Sequence, residues 1–192
     1  MKSNTQSVSM RKTRKNVNKP KTYTKKDYQS GEGMLTTVWG PSLWHFLHTM
    51  SFNYPSKPTV DQKKQYRAFI LSLENVLPCK YCRINLKENF KAVPLRHADM
   101  KDRESFSKYV YRLHEHINQM LKKKSGLSYE DVKERYEHFR ARCVPEKPMP
   151  DREKGCTESL YGKKSKCVIQ IVPQEKNCQT FQMDDSCKKV RM

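Results

Sequence analysis

Two cysteines two residues apart are the feature of this sequence with the clearest chemistry. Cys79-Lys80-Tyr81-Cys82 is the only CxxC among the 192 residues, and Pro78 precedes it. As a metal site, the pair would supply two thiolates and would need two more ligands from elsewhere. As a redox site, it would need a helix N-terminus, where the dipole and free N–H groups favour the thiolate. A pair of cysteines without function is the third interpretation.

The remaining potential ligands do not complete a metal site. His114 and His116 cannot point the same way on one helix, and no second CxxC is present. The other cysteines occur singly in the last quarter of the chain: Cys143, Cys156, Cys167, Cys178 and Cys187. We therefore expect no metal. The βαβ pattern that surrounds the CxxC of thioredoxin-like proteins is also missing.

Aromatic and polar side chains at helical spacing form a second group. Trp44 and His48 are four residues apart, and so are His114 and Asn118. Taken singly, each would be interpreted as an ordinary core aromatic or a satisfied polar group. Together, near a CxxC, they are what holding a planar redox cofactor between helices requires.

Helical periodicity predicts the elements that position these residues. Pro41 suits the first position of a helix that continues to about Ser51. Thr59 and Gln62 form a capping box before a stripe of apolar residues that ends at Pro78. A third helix is predicted just after Pro78. No long stretch alternates with period two.

Two more helices follow in the second half of this region. The clearest helical pattern comprises Phe106, Tyr109, Val110, Leu113, Ile117, Met120 and Leu121. A shorter helix is predicted to begin at Ser128. The predicted fold is all-α, a four-helix bundle plus a short fifth helix, with flexible N- and C-terminal tails.

The net charge of +19 first suggests a partner of opposite charge, such as nucleic acid. Residues 1–30, however, carry nine basic residues, one acid and few apolar side chains, which indicates disorder. We predict a basic disordered tail over 1–33, a folded domain over 34–143 and a cysteine-containing tail over 144–192. A basic nucleic-acid-binding or packaging protein, with an incidental or metal-binding CxxC, remains the alternative. No apolar run approaches the roughly 18–20 residues of a membrane span.

The motifs taken in order resemble the Erv/ALR family of FAD-linked sulfhydryl oxidases. They are Trp39-Gly40, Trp44 and Leu47-His48-Thr49, then Tyr54-Pro55, then Pro78-Cys79-Lys80-Tyr81-Cys82, and finally Leu113-His114-Glu115-His116-Ile117-Asn118 and Lys133-Glu134-Arg135-Tyr136. The resemblance extends over roughly residues 37–143. It implies a helical bundle, usually a homodimer, that binds FAD beside the CxxC, oxidises protein dithiols and passes the electrons to molecular oxygen, giving hydrogen peroxide.

Roles of individual residues follow from the resemblance alone. Cys79 would exchange with the incoming substrate, and Cys82 would be the thiolate next to the flavin. The implied cofactor-binding residues are Gly40, Trp44 and His48 at the flavin, Tyr81 and Ile117 nearby, His114 and Asn118 at the adenine and ribose, Lys122 and Lys123 near the phosphates, and Tyr136 in place of a stacking aromatic residue, usually Trp.

The sequence also departs from the family pattern. A structural disulfide that many members carry is missing, because Tyr111 and roughly Ser128 stand in its place. The pairing of the five C-terminal cysteines, as an electron shuttle or as disulfides within the tail, stays open. Without a signal peptide or anchor, synthesis in the cytoplasm is expected, and a viral member would act in the host cytoplasm or the virion. The basic tail could contact nucleic acid nonspecifically.

Overall fold

The computed structural model describes residues 22–143, 155–173, 175–176 and 182–187. The chain divides into two units, Met1–Gly31 and Glu32–Met192. The elements are α1 (Lys25–Tyr28), α2 (Thr36–Phe52), α3 (Val60–Val76), α4 (Lys80–Ala92), α5 (Arg103–Met120), α6 (Tyr129–Glu137), β1 (Ala141–Arg142) and β2 (Glu158–Ser159), with 3₁₀ turns at His97–Met100 and Asp185–Cys187. The all-α prediction for the core, four long helices and a short fifth, is confirmed.

The described part of the first unit contains one helical turn, α1. Thr24 caps it, and the Asp27 carboxylate accepts hydrogen bonds from the Thr24 backbone N–H and hydroxyl at 2.7 and 2.8 Å. These bonds lower the pKa of Asp27, the backbone bond most. This capping box satisfies the first backbone donors of α1, a helical turn that lies within the tail predicted over residues 1–33. Residues 1–21 lie outside the described part.

Helix α2 begins five residues before Pro41, so the prediction that Pro41 starts the helix is wrong. The Trp39 indole N–H donates to the Met34 carbonyl at 3.1 Å and anchors the first turn. Pro41 has no N–H, so the helix forgoes one backbone hydrogen bond there. The partly buried Trp39 side chain also packs against the hydrophobic core. The helix ends at Phe52, as expected.

Helices α3 and α4 begin and end at the predicted signals. The Thr59 hydroxyl accepts from the Gln62 N–H at 3.2 Å, and the Gln62 side chain accepts from the Thr59 N–H at 2.9 Å, which confirms the capping box. Leu77 closes α3, and Cys79 is the N-cap of α4. Pro78 lies between them and prevents one continuous helix.

The core lies between α2 and α5 at its centre, with α3 and α4 on one side and α6 against α2. Its buried members are Leu47, Tyr54, Ile70, Leu73, Leu77, Leu86, Phe90, Leu95, Met100, Phe106, Tyr109, Val110 and Leu113. Helix α5 supplies four of these core residues at 3/4 spacing, Phe106, Tyr109, Val110 and Leu113, which confirms the clearest pattern of the sequence. None of the helices in the described ranges has the length and apolar character to cross a membrane.

The segment between α5 and α6 is held without a disulfide. The Tyr111 hydroxyl donates to the Leu127 carbonyl at 2.8 Å, and its ring meets Tyr129 edge-on at 5.8 Å. Tyr111 and roughly Ser128 stand where many members of the family carry a structural disulfide, which was expected to be missing here. A hydrogen bond and an aromatic contact therefore connect the same two places.

Part of the C-terminal segment pairs with the end of the helical core. The sequence analysis predicted a flexible tail and did not predict this pairing. Strand β2 pairs antiparallel with β1, with Ala141 opposite Ser159 and Arg142 opposite Glu158. The Leu160 N–H donates to the Arg140 carbonyl at 3.0 Å and extends the pairing. Two-residue strands are too short for a period of two to be visible in the sequence.

Replacing Tyr111 by Phe tests the non-covalent brace. Tyr111→Phe should lower the free energy of unfolding by about 1 kcal/mol, because the Leu127 carbonyl loses its donor while the ring contact stays. Urea unfolding followed by circular dichroism measures this loss. Tyr81→Phe is the matched control, since the Tyr81 side chain is exposed. Equal stability of Tyr111→Phe and the control would contradict the brace.

Candidate active site

The cysteine pair lies at the N-terminus of α4 and is joined as a disulfide. Cys79 is the N-cap in an extended conformation, and its sulfur accepts a hydrogen bond from the Cys82 backbone N–H at 3.2 Å. The two Cα atoms are 5.1 Å apart. When the pair is reduced, this donor and the helix dipole stabilise a thiolate on Cys79. The pair thus lies at a helix N-terminus, which is what the sequence analysis required of a redox pair.

The two sulfurs have different surroundings. Cys82 is half-buried and packs against the hydrophobic core, whereas Cys79 contacts the chain segment before α2. The Arg83 guanidinium donates to the Leu77 carbonyl at 2.5 Å and places positive charge beside the pair. Lys80 is exposed. Cys79 is half-buried as well, so the two cysteines differ in their neighbours rather than in their exposure.

A backbone clamp, residues 32–34, holds Cys79 in place. The Met34 N–H donates to the Pro78 carbonyl and the Lys80 N–H to the Glu32 carbonyl, both at 2.7 Å. Gly33 between them has φ +141°, and a Cβ there would lie 2.6 Å from the Cys79 Cα. Only glycine fits this approach without a backbone shift. The sequence analysis missed the clamp; the isolated Gly33 before a helix was its only signal.

A cluster of flat side chains lies between α2, α5 and α6. Trp44 stacks on His114 with ring centroids 3.9 Å apart and planes at 6°. His48 Nε2 and His114 Nδ1 share a hydrogen bond at 3.0 Å. His48 also stacks on Tyr136 at 5.2 Å. The structure thus brings together four of the predicted cofactor-binding residues, and we call them the ring cluster.

Burial keeps the ring cluster uncharged near neutral pH. It lowers the pKa of His48 to about 3, with the nearby His114 adding to the effect. Burial also lowers the pKa of His114 to about 4, and it raises the pKa of Tyr136 to about 12. Both imidazoles are therefore neutral, one donating to the other. An uncharged aromatic surface of this kind suits a planar ring system.

Two further observations fit a bound heteroaromatic ligand. His48 Nδ1 is buried and has no hydrogen-bond partner among the described residues. Buried polar atoms in native proteins nearly always have a partner, so a ligand atom could satisfy this nitrogen. A Cβ at Gly40 would meet no atom within 4 Å, which leaves room beside α2.

The other predicted cofactor-binding residues lie on α4 and at the end of α5. Tyr81 is 72% exposed, and Ile117 is half-buried against the core. The Asn118 amide donates to the Glu115 carboxylate at 2.9 Å. Lys122 and Lys123 are exposed just beyond α5, and the charge of Lys123 contributes to the lowered pKa of His114. The cofactor-binding role of all these residues stays a prediction.

The sequence analysis missed three neighbours of Tyr136. His45 Nδ1 and the Tyr136 hydroxyl share a hydrogen bond at 3.3 Å. Phe52 stacks on Tyr136 at 5.6 Å with planes at 3°, and Phe139 meets it edge-on at 5.8 Å. The spacing of Trp44, His48 and Phe52 along one face of α2 was the available signal. Across the described ranges, no three His, Cys, Asp or Glu side chains converge to hold a metal.

A disulfide at a helix N-terminus and a buried, neutral ring cluster, both within one helical bundle, define a helical thiol–disulfide redox domain. The chain belongs to the Erv1/Alr family, whose model matches residues 41–137. This confirms the resemblance found in the sequence.

Relatives come from viruses and from plants. A probable FAD-linked sulfhydryl oxidase of Acanthamoeba polyphaga mimivirus is 34% identical over 104 residues, 54% of this chain and 72% of that protein. An FAD-linked sulfhydryl oxidase of African swine fever virus is 28% identical over 99 residues, 52% of this chain and 80% of that protein. The FAD-linked sulfhydryl oxidase ERV1 of Arabidopsis thaliana is 34% identical over 84 residues, 44% of this chain and 42% of that protein. The chain thus spans less than half of the plant relative.

The neutral histidines make stability depend on pH. Their pKa values are lower in the folded state, about 3 and 4, than the unfolded value of about 6.5. The contribution of the two neutral histidines to the free energy of unfolding is complete above about pH 6.5. It is lost as the pH falls towards 4. Near pH 5 the slope from both histidines should be about 2 kcal/mol per pH unit. His48→Gln should remove about half of it, measured as free energies of unfolding in urea between pH 4.5 and 7. An unchanged slope would contradict the buried neutral state.

Proposed function

We propose that this protein is an FAD-dependent sulfhydryl oxidase that forms disulfides in protein dithiols and reduces oxygen to hydrogen peroxide. The overall reaction converts two thiols and one O₂ into one disulfide and one H₂O₂. The observation that carries the proposal is the Cys79–Cys82 disulfide at the N-terminus of α4. The names of the relatives support the same activity. No finding supports the alternative of a nucleic-acid-binding or packaging protein.

Thiol–disulfide exchange begins at Cys79. A substrate thiolate attacks the Cys79 sulfur, the bond to Cys82 breaks, and Cys82 leaves as a thiolate. A second substrate thiolate then attacks the substrate sulfur of the mixed disulfide and releases the Cys79 thiolate. The substrate loses two electrons and two protons, and the pair gains the electrons. The Cys82 N–H, 3.2 Å from the Cys79 sulfur, stabilises the released Cys79 thiolate.

The surroundings of the two sulfurs favour this direction of attack. Cys82 packs against the hydrophobic core, whereas Cys79 contacts the clamp, so we assign the attack to Cys79. The clamp at residues 32–34 fixes the Cys79 backbone and so the direction of its sulfur. Cys82, which packs against the hydrophobic core, is the cysteine that we assign to the cofactor side.

The ring cluster is proposed to hold FAD. Trp44, His48 and Tyr136 offer flat, uncharged surfaces, and His48 Nδ1 offers an unsatisfied polar atom. Gly40 leaves space beside α2. Asn118 and His114 would serve the adenine and ribose end, Tyr81 and Ile117 would add contacts, and Lys122 and Lys123 would pair with the phosphates. When bound, FAD supplies two-electron acceptance from a dithiol and reactivity with oxygen.

The protein is also proposed to form a homodimer through α2 and α3. Phe46 is 52% exposed and Phe69 39% exposed, although their rings meet edge-on at 6.1 Å. Val38 and Val76 are exposed on the same two helices. An exposed aromatic pair among aliphatic side chains is typical of a contact with another protein.

A charge in this aromatic pair should dissociate the dimer. Phe46→Asp is expected to convert the dimer to a monomer in sedimentation velocity, because a carboxylate would be desolvated at the interface. Lys64→Asp, which changes an exposed residue outside this pair, is the control. A variant that sediments like the wild type would contradict the interface.

Three expectations from the sequence remain predictions: the nucleic-acid contact, the viral origin and the compartment. The proposed nucleic-acid contact of the basic tail concerns mainly residues 1–21, which lie outside the described part. The viral origin and the compartment rest on the sequence and on the viral relatives.

Two cysteine variants test the proposed activity. Cys82→Ser should abolish oxygen consumption with dithiothreitol while the purified protein stays yellow, because the residues of the ring cluster are unchanged. Cys167→Ser should keep both the colour and full activity. A colourless wild-type protein would overturn the FAD assignment, and an active Cys82→Ser protein would overturn the role of the pair.

A further inference from the structure

Two of the C-terminal cysteines lie side by side at the small sheet. Cys143 directly follows β1, and Cys156 precedes β2 by one residue. The Cys156 thiol is hydrogen-bonded to the Cys143 thiol, and this bond raises the pKa of Cys156. Both residues are exposed. The two thiols are therefore within reach of each other and of an oxidant.

The strand pairing explains why these two cysteines meet. With Ala141 opposite Ser159 and Arg142 opposite Glu158, the next position places Cys143 opposite Thr157. Cys156 is the neighbour of Thr157. Directly opposed residues of antiparallel strands have Cα atoms about 4.5–5.5 Å apart, within the range of about 4.4–6.8 Å that a disulfide needs. Cys156 is one residue away from the position opposite Cys143. The backbone can accommodate this offset because the strand pairing ends there.

We propose that Cys143 and Cys156 form a structural disulfide that fixes the start of the C-terminal segment, residues 155–163, to the end of the helical bundle. Non-covalent support for this segment is limited. It includes the two-residue strand pair, the Leu160–Arg140 backbone bond, an edge-on contact of Tyr161 with His138 at 6.2 Å and a bond from the Lys163 N–H to the Ser186 carbonyl at 3.3 Å. A two-stranded pair this short is marginal by itself. The disulfide closes a loop of 12 intervening residues and so removes conformations of the detached segment.

The position of this pair argues against a role as an electron relay to Cys79–Cys82 of the same chain. Helix α2 is 17 residues long, about 25 Å at 1.5 Å per residue. The clamp that contacts Cys79 directly precedes α2. At the opposite end, Arg140 donates to the Phe52 carbonyl at 2.8 Å, and Cys143 follows three residues later. The two disulfides are thus at opposite ends of α2.

Formation of the bond follows thiol–disulfide exchange between two molecules. The Cys143 and Cys156 thiols lose two protons and two electrons, and the Cys79–Cys82 disulfide of a second molecule gains the electrons and becomes a dithiol. The choice of oxidant rests on the proposed function, whereas the pairing rests on the geometry alone. The enzyme would then be one of its own substrates.

Peptide mapping tests the pairing independently of the oxidase activity. The variant that carries both Cys79→Ser and Cys82→Ser is reduced, freed of reductant, oxidised with diamide, alkylated and digested with trypsin. Cys143 and Cys156 lie in separate tryptic peptides, residues 143–152 and 155–163. Their linked product should exceed any other Cys143 product about tenfold, as expected for thiols already in contact. It should disappear after reduction. Cys167→Ser in the same background should not change it.

Other outcomes separate the inference from the proposed function. Free Cys143 and Cys156 after diamide, or a main link from Cys143 to Cys167, would overturn the pairing. If a catalytic amount of wild-type protein links 143–152 to 155–163 in the double variant, the oxidant is confirmed. If diamide makes the link but yellow, active wild-type protein does not, the oxidant is wrong and the pairing stands. If the wild-type protein is colourless and inactive while diamide makes the link, only the proposed function fails.

Discussion

The start of α4 at Cys79 is the constraint on which the proposed chemistry depends. Because Cys79 is the N-cap, its sulfur lies one helical turn before Cys82 and accepts that residue's N–H. Pro78 stops α3 from continuing, and the clamp at residues 32–34 pairs with the backbone on both sides of Cys79. A shift of the helix start by one residue would separate the sulfurs and remove the N–H donor. The sequence places its breaker, its clamp glycine and its N-cap around this single point.

The ring cluster depends on burial in the same way. His48 and His114 are neutral because they are removed from water, and as neutral imidazoles they share one hydrogen bond, with one ring as donor and the other as acceptor. Trp44 and Tyr136 cover them from α2 and α6. The positive charge of the chain reaches this region through Lys123, which adds to the lowered pKa of His114. Nine of its basic residues lie within residues 1–30, and Lys122 and Lys123 lie beyond the end of α5.

The sequence predicts the helices well because each has a repeated apolar face and a local end signal. Thr59, Cys79 and Ser128 all cap helices where expected. Pro41 shows where a local rule fails, since the Trp39–Met34 contact starts α2 earlier. The clamp and the β1–β2 pair depend on backbone contacts between distant segments, which side-chain periodicity cannot reveal. At the site, helical spacing finds Trp44 and His48, while the hydrogen bond from His45 to Tyr136 depends on how α6 crosses α2.

Anaerobic reduction of the bound cofactor is the most direct test of the central claim, that Cys82 connects the surface disulfide chemistry to a flavin held by the bundle. Wild-type protein, kept without oxygen and mixed with dithiothreitol, should lose its yellow flavin absorption in proportion to the dithiol added. Cys82→Ser should bind the same amount of flavin and keep its colour under the same conditions. Rapid bleaching of the Cys82→Ser protein, or a wild-type protein whose colour dithiothreitol does not change, would contradict the account.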